Sequence, residues 1–120
     1  TDSTGFGLLG HLAEMLTAGQ VVELDPGAVA ALPGARELLA QGQASTLAPS
    51  NARALAHLDP GSGVRCLTPA TAVDQQLWID PQTCGPLLAA LPASRAEAAL
   101  AGLHAMGFAQ AAVIARVLKA

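Results

Sequence analysis

Residues 1–27 read TDSTGFGLLGHLAEMLTAGQVVELDPG, and the change of period inside this stretch decides the class of fold. Leu8, Leu12, Met15 and Leu16 recur at i, i+4, i+7 and i+8, which predicts a helix over 7–18 with one apolar stripe. Gly19 follows as a C-terminal cap, because glycine enters the left-handed conformation that ends a helix at little cost. Residues 21–24, Val-Val-Glu-Leu, then read as a short strand, and Asp25-Pro26-Gly27 turns the chain. A helix hands over to a strand within a few residues.

The same reasoning extends along the chain. A second helix is predicted from Pro33 through Arg36, Leu38 and Leu39 to a stop at Gly42, since proline is tolerated in a first turn. Residues 43–50, with Pro49 and no clear period, read as a loop. Ser50 is placed to cap a third helix running through Leu58, before Asp59-Pro60-Gly61-Ser62-Gly63 breaks the chain. A strand is predicted over 64–67 and a short helix over 69–78. Trp78 to Pro86 reads as a turn-rich loop feeding the apolar run Leu87 to Leu91. Ser94-Arg95-Ala96-Glu97 matches a capping box ahead of a helical face of Leu100, Leu103 and Met106 that ends at Gly107. Residues 111–118, with Val113, Ile114 and Val117, close the chain as a strand. Helices and strands interleave without a repeat, so the expected class is α+β, a sheet covered by alanine-rich helices in a single domain over 1–120.

Composition narrows the function. The 120 residues are 52% hydrophobic but only 2% aromatic, so the core is expected to be aliphatic and built on small side chains. Six Lys and Arg stand against nine Asp and Glu, a net charge of -3 with no basic cluster. Nucleic-acid binding needs a concentrated cationic face, and that partner is not expected. No apolar run approaches the roughly 18 residues that span a bilayer, and Thr1-Asp2-Ser3-Thr4 lacks the layout of a signal peptide, so a soluble cytoplasmic protein without a membrane partner is expected. Cys66 and Cys84 lie in unrelated segments without metal-ligand spacing and read as two separate reduced thiols, small apolar residues rather than a bridge or a zinc site. The chain opens on Thr1 already inside a motif, as a piece of a longer protein would.

The candidate chemistry sits at the beginning. Thr1-Asp2-Ser3-Thr4-Gly5-Phe6-Gly7 places an acid and hydroxyls just ahead of two glycines that open a helix. Glycines admit an anion close to the backbone, and a helix N-terminus favours it. A carboxylate there would repel phosphate unless Mg²⁺ lay between them, taking oxygens from both. Asp2 therefore fits a metal ligand whose companions come from elsewhere. It equally fits an acid that supports the first helix through its dipole, and Gly5 and Gly7 equally fit close packing; spacing leaves both readings open. His11, His57 and His104 have no metal-spaced partners, so His11 reads as a packed or hydrogen-bonding histidine and the other two as surface helix residues.

Three segments carry a family resemblance. Thr1 to Leu12 resembles the TDVTGFGLLGHL signature of selenophosphate synthetases, with Ser3 in place of valine. Leu32-Pro33-Gly34-Ala35-Arg36-Glu37-Leu38 resembles that family's LPGA-type helix start, and Asp80-Pro81-Gln82-Thr83-Cys84-Gly85-Pro86-Leu87-Leu88 resembles its DPQTSGGLL motif. The resemblance covers essentially the whole chain. It implies the fold of the carboxy-terminal domain in the aminoimidazole ribonucleotide synthetase superfamily, a mixed β-sheet with helices. It also implies a reaction in which ATP, selenide and water give selenophosphate, AMP and orthophosphate. By the same resemblance Asp2 is a Mg²⁺ ligand, Thr4, Gly5 and Gly7 shape the ATP-bearing pocket beside it, and Asn51 serves the site. The family's nucleophile and essential lysine belong to an amino-terminal ATP-binding domain that this chain lacks. No catalytic residue is therefore expected here, the chain alone is expected to be inactive, and its partners are its own amino-terminal domain and, in the full-length enzyme, a second subunit.

The departures from the pattern are specific. The family's GGTxxN loop is Ala44-Ser45-Thr46-Leu47-Ala48-Pro49-Ser50-Asn51 here, which keeps only the asparagine. In the third motif Cys84 stands for serine and Pro86 for the second glycine, and Pro86 has no N–H to offer an anion. Cys84 is not the family's nucleophile, which lies in another segment. Two other readings remain: a domain of a different ATP-using member of the superfamily, such as thiamine-monophosphate kinase, and a non-catalytic interaction module.

Overall fold

The computed structural model describes residues 1–56 and 63–119. Along the chain lie α1 (Gly7–Glu14), β1 (Gln20–Leu24), a 3-10 turn (Pro26–Ala28), α2 (Ala35–Ala40), α3 (Ala48–Ala56), β2 (Val64–Cys66), α4 (Ala72–Ile79), α5 (Ala93–Ala105) and β3 (Ala115–Lys119). The strands form one mixed sheet in the order β2-β1-β3, with β1 parallel to β2 and antiparallel to β3. This is the α+β architecture that the sequence predicts.

β1 is the central strand, and its alternation sorts the sheet into two faces. Val22 and Leu24 point to one face, opposite Val64 and Cys66 on β2 and Val117 and Ala115 on β3. They are the most deeply buried large side chains, at 1% and 0% exposure, and they pack with Leu12 of α1 and Trp78 of α4. Burial of this kind stabilises the fold by about 1.5–3 kcal/mol per side chain. Val21 and Glu23 take the other face, where Arg65 reaches the Glu23 carboxylate at 3.4 Å. α1 packs on α4 and α3, and α2 on α4. α5 buries none of its residues, and Met106 and Phe108 beyond it are exposed. No helix among the described residues is long and apolar enough to cross a membrane.

Several boundaries depart from the sequence expectation. α1 stops at Glu14, four residues before Ala18, and a turn closed by the Gln20 side chain on the Thr17 N–H carries the chain to Gly19, whose φ of 78° is left-handed as expected. α2 starts at Ala35 rather than Pro33, because Gly34 takes φ 84° and cannot belong to a helix. α3 begins at Ala48, so Pro49 lies in its first turn, where a missing N–H costs nothing, and Ser50 does not cap it. The predicted end of this helix at Leu58, His57 and most of the 59–63 break lie outside the described residues. β2 ends at Cys66, although the Leu67 N–H still bonds the Leu24 carbonyl. β3 begins at Ala115 rather than 111.

The capping box is the clearest correction. α5 starts at Ala93 after Pro92, with no side-chain cap, so Ser94 and Glu97 fall inside its first turns. The box forms instead at Thr71 and Asp74, on the helix that the sequence announced least. The Thr71 hydroxyl accepts from the Asp74 N–H at 3.1 Å while the Asp74 carboxylate accepts from the Thr71 N–H at 2.9 Å. The other carboxylate oxygen takes a short bond from Arg36 of α2, whose guanidinium also donates to the Val29 carbonyl at 3.3 Å. One carboxylate therefore caps α4 and ties it to α2.

The Arg36 bond, and after it the Thr71 bonds, hold the Asp74 carboxyl down to about 2 from its ordinary 3.8. A carboxyl depressed on folding stabilises the protein above its unfolded value, so this contribution is complete above pH 3.8 and is lost as the pH falls through about 2. Asp74→Asn should cost about 1–3 kcal/mol at neutral pH by breaking a charge-assisted bond. Urea unfolding at pH 7, 4 and 2.5 should show a smaller acid loss in the variant than in the parent.

Candidate functional site

The first four residues are extended and pair with the segment after the third motif. The Ser3 N–H bonds the Pro86 carbonyl at 2.8 Å, the Leu88 N–H bonds the Thr1 carbonyl at 2.7 Å, and the Thr1 nitrogen returns to the Leu88 carbonyl at 3.0 Å. Asp2 and Leu87 are opposed in this antiparallel bridge. The apolar run 87–91 contributes this edge contact and packs Leu88 against the core, while Leu87 is 84% exposed. Pro86 is tolerated because the ladder uses its carbonyl, not the N–H it lacks. Gly85 is required by the same approach: a Cβ there would run into the Ser3 carbonyl.

Ser3 is buried and Asp2 is exposed, so the Asp2 carboxylate stands on the open side of the bridge. Thr4 is half-buried, and its carbonyl accepts from Gly7 at 2.9 Å and from Gln82 of the third motif at 3.1 Å. The two glycines behave differently. Gly7 has φ 68°, and a Cβ on it would lie 2.7 Å from the Trp78 carbonyl, so it serves close packing of α1 on α4. Nothing lies within 4 Å of where a Gly5 Cβ would be, so Gly5 is the one whose backbone an anion can approach.

Asn51 joins the pieces. Its buried side-chain amide donates to the Gly5 carbonyl at 2.9 Å and to the Ile79 carbonyl at 2.9 Å. Both of its N–H groups are thereby committed to the scaffold, so Asn51 positions the site rather than offering those donors to a ligand. The five residues singled out in the sequence, Asp2, Thr4, Gly5, Gly7 and Asn51, converge on one edge of the α1–α4 layer, with Gly7 and Asn51 beneath it as support.

His11, in the last turn of α1, is the packed and hydrogen-bonding histidine that the sequence reading expects, and it is 7% exposed. Its Nε2 lies 3.2 Å from the Thr4 hydroxyl and its Nδ1 3.1 Å from the Glu14 carboxylate. Phe6 lies against it, ring centroids 5.7 Å apart and tilted by 46°. Gly10 makes room for Phe6, since a Cβ there would sit 2.5 Å from the Phe6 Cβ. The spacing of Thr4, His11 and Glu14 carried the signal, as residues 11 and 14 share a helix face. Beside this cluster is a cavity of about 170 Å³ that Phe6, Glu14, Asn51 and Leu55 help to line. A larger one of about 500 Å³, between α2, α3 and α4, touches none of Asp2, Thr4 or Gly5.

The donor set bears on Mg²⁺. Among the described residues no group of three or more His, Cys, Asp or Glu could hold a metal ion. One exposed carboxylate with an open glycine beside it is what the chain presents, and Mg²⁺ is commonly held by one or two carboxylates plus phosphates and water. Asp2 thus fits a shared site and not a self-contained one. Cys66 and Cys84 are unpaired, as read, and both are exposed; partial desolvation, with a contribution from Asp74, pushes the Cys66 thiol up, so it favours the unreactive form. His104 is an exposed helix residue, as read, and bonds the Ala111 carbonyl at 2.8 Å.

Residues 1–120 match the family described as AIR synthase related protein, C-terminal domain. The chain is 37% identical over 119 residues to the selenide, water dikinase of Burkholderia pseudomallei (strain K96243), covering 98% of this chain and 32% of that protein. It is 40% identical over 107 residues to the selenide, water dikinase of Cronobacter sakazakii (strain ATCC BAA-894), covering 87% and 28%. With that of Pseudomonas straminea the identity is 34% over 118 residues, covering 98% and 32%. The chain spans about a third of the length of these relatives.

The packing of Gly85 on Ser3 is testable locally. Gly85→Ala should loosen the bridge, so that the Ser3 and Leu88 amides exchange with deuterium at least about tenfold faster, as local opening predicts, while the Val22 amide in the sheet keeps its protection.

Proposed function

The chain belongs to the AIR synthase related protein, C-terminal domain family, and from that membership we propose that it serves as the carboxy-terminal domain of a selenide, water dikinase. The reaction proposed for the whole enzyme converts ATP, selenide and water to selenophosphate, AMP and phosphate. The observation that carries the proposal is the pairing of the first and third motifs, which sets Asp2 and Gly5 together on an open edge.

In this reading Asp2 contributes one carboxylate to Mg²⁺, which would neutralise phosphate oxygens of ATP. Gly5 leaves its backbone free for a phosphate to approach, and Gly7 and Asn51 hold that backbone in place. The nucleophile, the essential cation and the remaining carboxylates come from the amino-terminal part of the enzyme. That part is also the proposed partner for the apolar surface left open by α5 and β3, where Met106, Phe108 and Val117 are exposed. A homodimeric, cytoplasmic enzyme completes the proposal.

In the full-length protein that carries this domain, Asp2→Asn should lower selenide-dependent AMP formation at least about 100-fold while folding is retained, the scale of losing one preorganised electrostatic contact. Unchanged activity would remove Asp2 from the site. The 120-residue chain by itself should form no AMP from ATP with selenide and Mg²⁺; formation there would contradict the division of labour.

A further inference from the structure

The hydrogen bonds of His11 determine what kind of ligand Thr4 can take. A carboxylate only accepts, so the Glu14 oxygen 3.1 Å from His11 Nδ1 assigns a proton to that nitrogen. In the neutral ring Nε2 is then bare and can only accept. The Thr4 hydroxyl, 3.2 Å away, must give it its single proton. We infer that Glu14 and His11 act together as positioning residues that hold Thr4 Oγ1 as an acceptor-only oxygen, facing a hydrated divalent cation beside Asp2 rather than a phosphate.

The surroundings lock this arrangement. His11 is buried under Phe6, which Gly10 admits. The Thr4 backbone is pinned by Gly7 and Gln82, which fixes the position from which its side chain reaches His11. Residues two apart on an extended segment share a side, and the burial of Ser3 between Asp2 and Thr4 follows that alternation. An oxygen with only lone pairs to offer repels phosphate oxygens. It suits a cation, or a water on a cation that donates to it. Oriented partners of this kind typically change metal affinity 10- to 100-fold.

This inference deepens the Mg²⁺ reading of Asp2 and rests on it, so the test has two arms. In the first, long-range ¹H–¹⁵N correlation spectra of the labelled full-length protein at pH 8 without metal should show His11 protonated on Nδ1 alone, and Glu14→Ala should move the proton to Nε2. An Nε2-protonated ring in the parent overturns the inference. In the second, Mg²⁺ is titrated into the full-length protein with a non-hydrolysable ATP analogue. Thr4→Val and His11→Asn should each raise the Mg²⁺ Kd about tenfold. The double variant should be no worse than either, and Thr4→Ser should bind as the parent does. Thr4→Val is close to isosteric, and its urea midpoint shows whether folding is retained. If Asp2→Asn weakens Mg²⁺ but His11→Asn and Thr4→Val do not, the inference fails and the Asp2 reading stands. If Asp2→Asn has no effect, both fail.

Discussion

The two hydrogen bonds from the Asn51 amide hold the site together, because they fasten to one buried side chain the segments that helix packing brings near each other. Gly5 precedes α1, Ile79 ends α4 and Asn51 lies on α3, and a single buried side chain satisfies one carbonyl of each of the first two. Losing Asn51 would remove the side-chain donor from both carbonyls, so the cost falls on both segments together. Gly7 makes the approach possible by bringing no side chain against the Trp78 carbonyl. On this base Thr1 to Thr4 extend along Pro86 to Leu88 and present Asp2 to the outside.

The same arrangement explains how a chain so poor in aromatic residues keeps a defined edge. Among the described residues the sheet is three strands wide, and its buried face is closed by Leu12 and Trp78 over Val22 and Leu24. α1 and α4 therefore sit at fixed positions on that face, and the candidate site residues Asp2, Thr4 and Gly5 lead into α1. α5 is bound to this core much more loosely and buries none of its residues.

Much of this was legible in the sequence. The stripe of α1 and the strand after it follow from period alone, and the motif residues named by resemblance do converge. What period cannot show is pairing over long separation: nothing local in Thr1 to Thr4 predicts a bridge to residues more than eighty positions away. Local signals also misled where two were in competition. Ser94 and Glu97 have the spacing of a capping box, but Pro92 starts the helix first, whereas Thr71 and Asp74 acquire theirs because Arg36 fixes the carboxylate from α2. Trp78 opens the segment that reads as a turn-rich loop, yet it lies in the last turn of α4 inside the core. Asn51 was singled out by resemblance alone, and its role as a fastener depends on carbonyls that only the fold brings near.

The central claim is that Asn51 binds the first motif to the end of α4. Scalar couplings across hydrogen bonds, measured from the Asn51 side-chain nitrogen to the carbonyl carbons of Gly5 and Ile79 in labelled protein, test it directly. Detectable coupling to both carbonyls, with slow exchange of both Asn51 amide protons, is the predicted result. Fast-exchanging amide protons with coupling to neither would contradict the account.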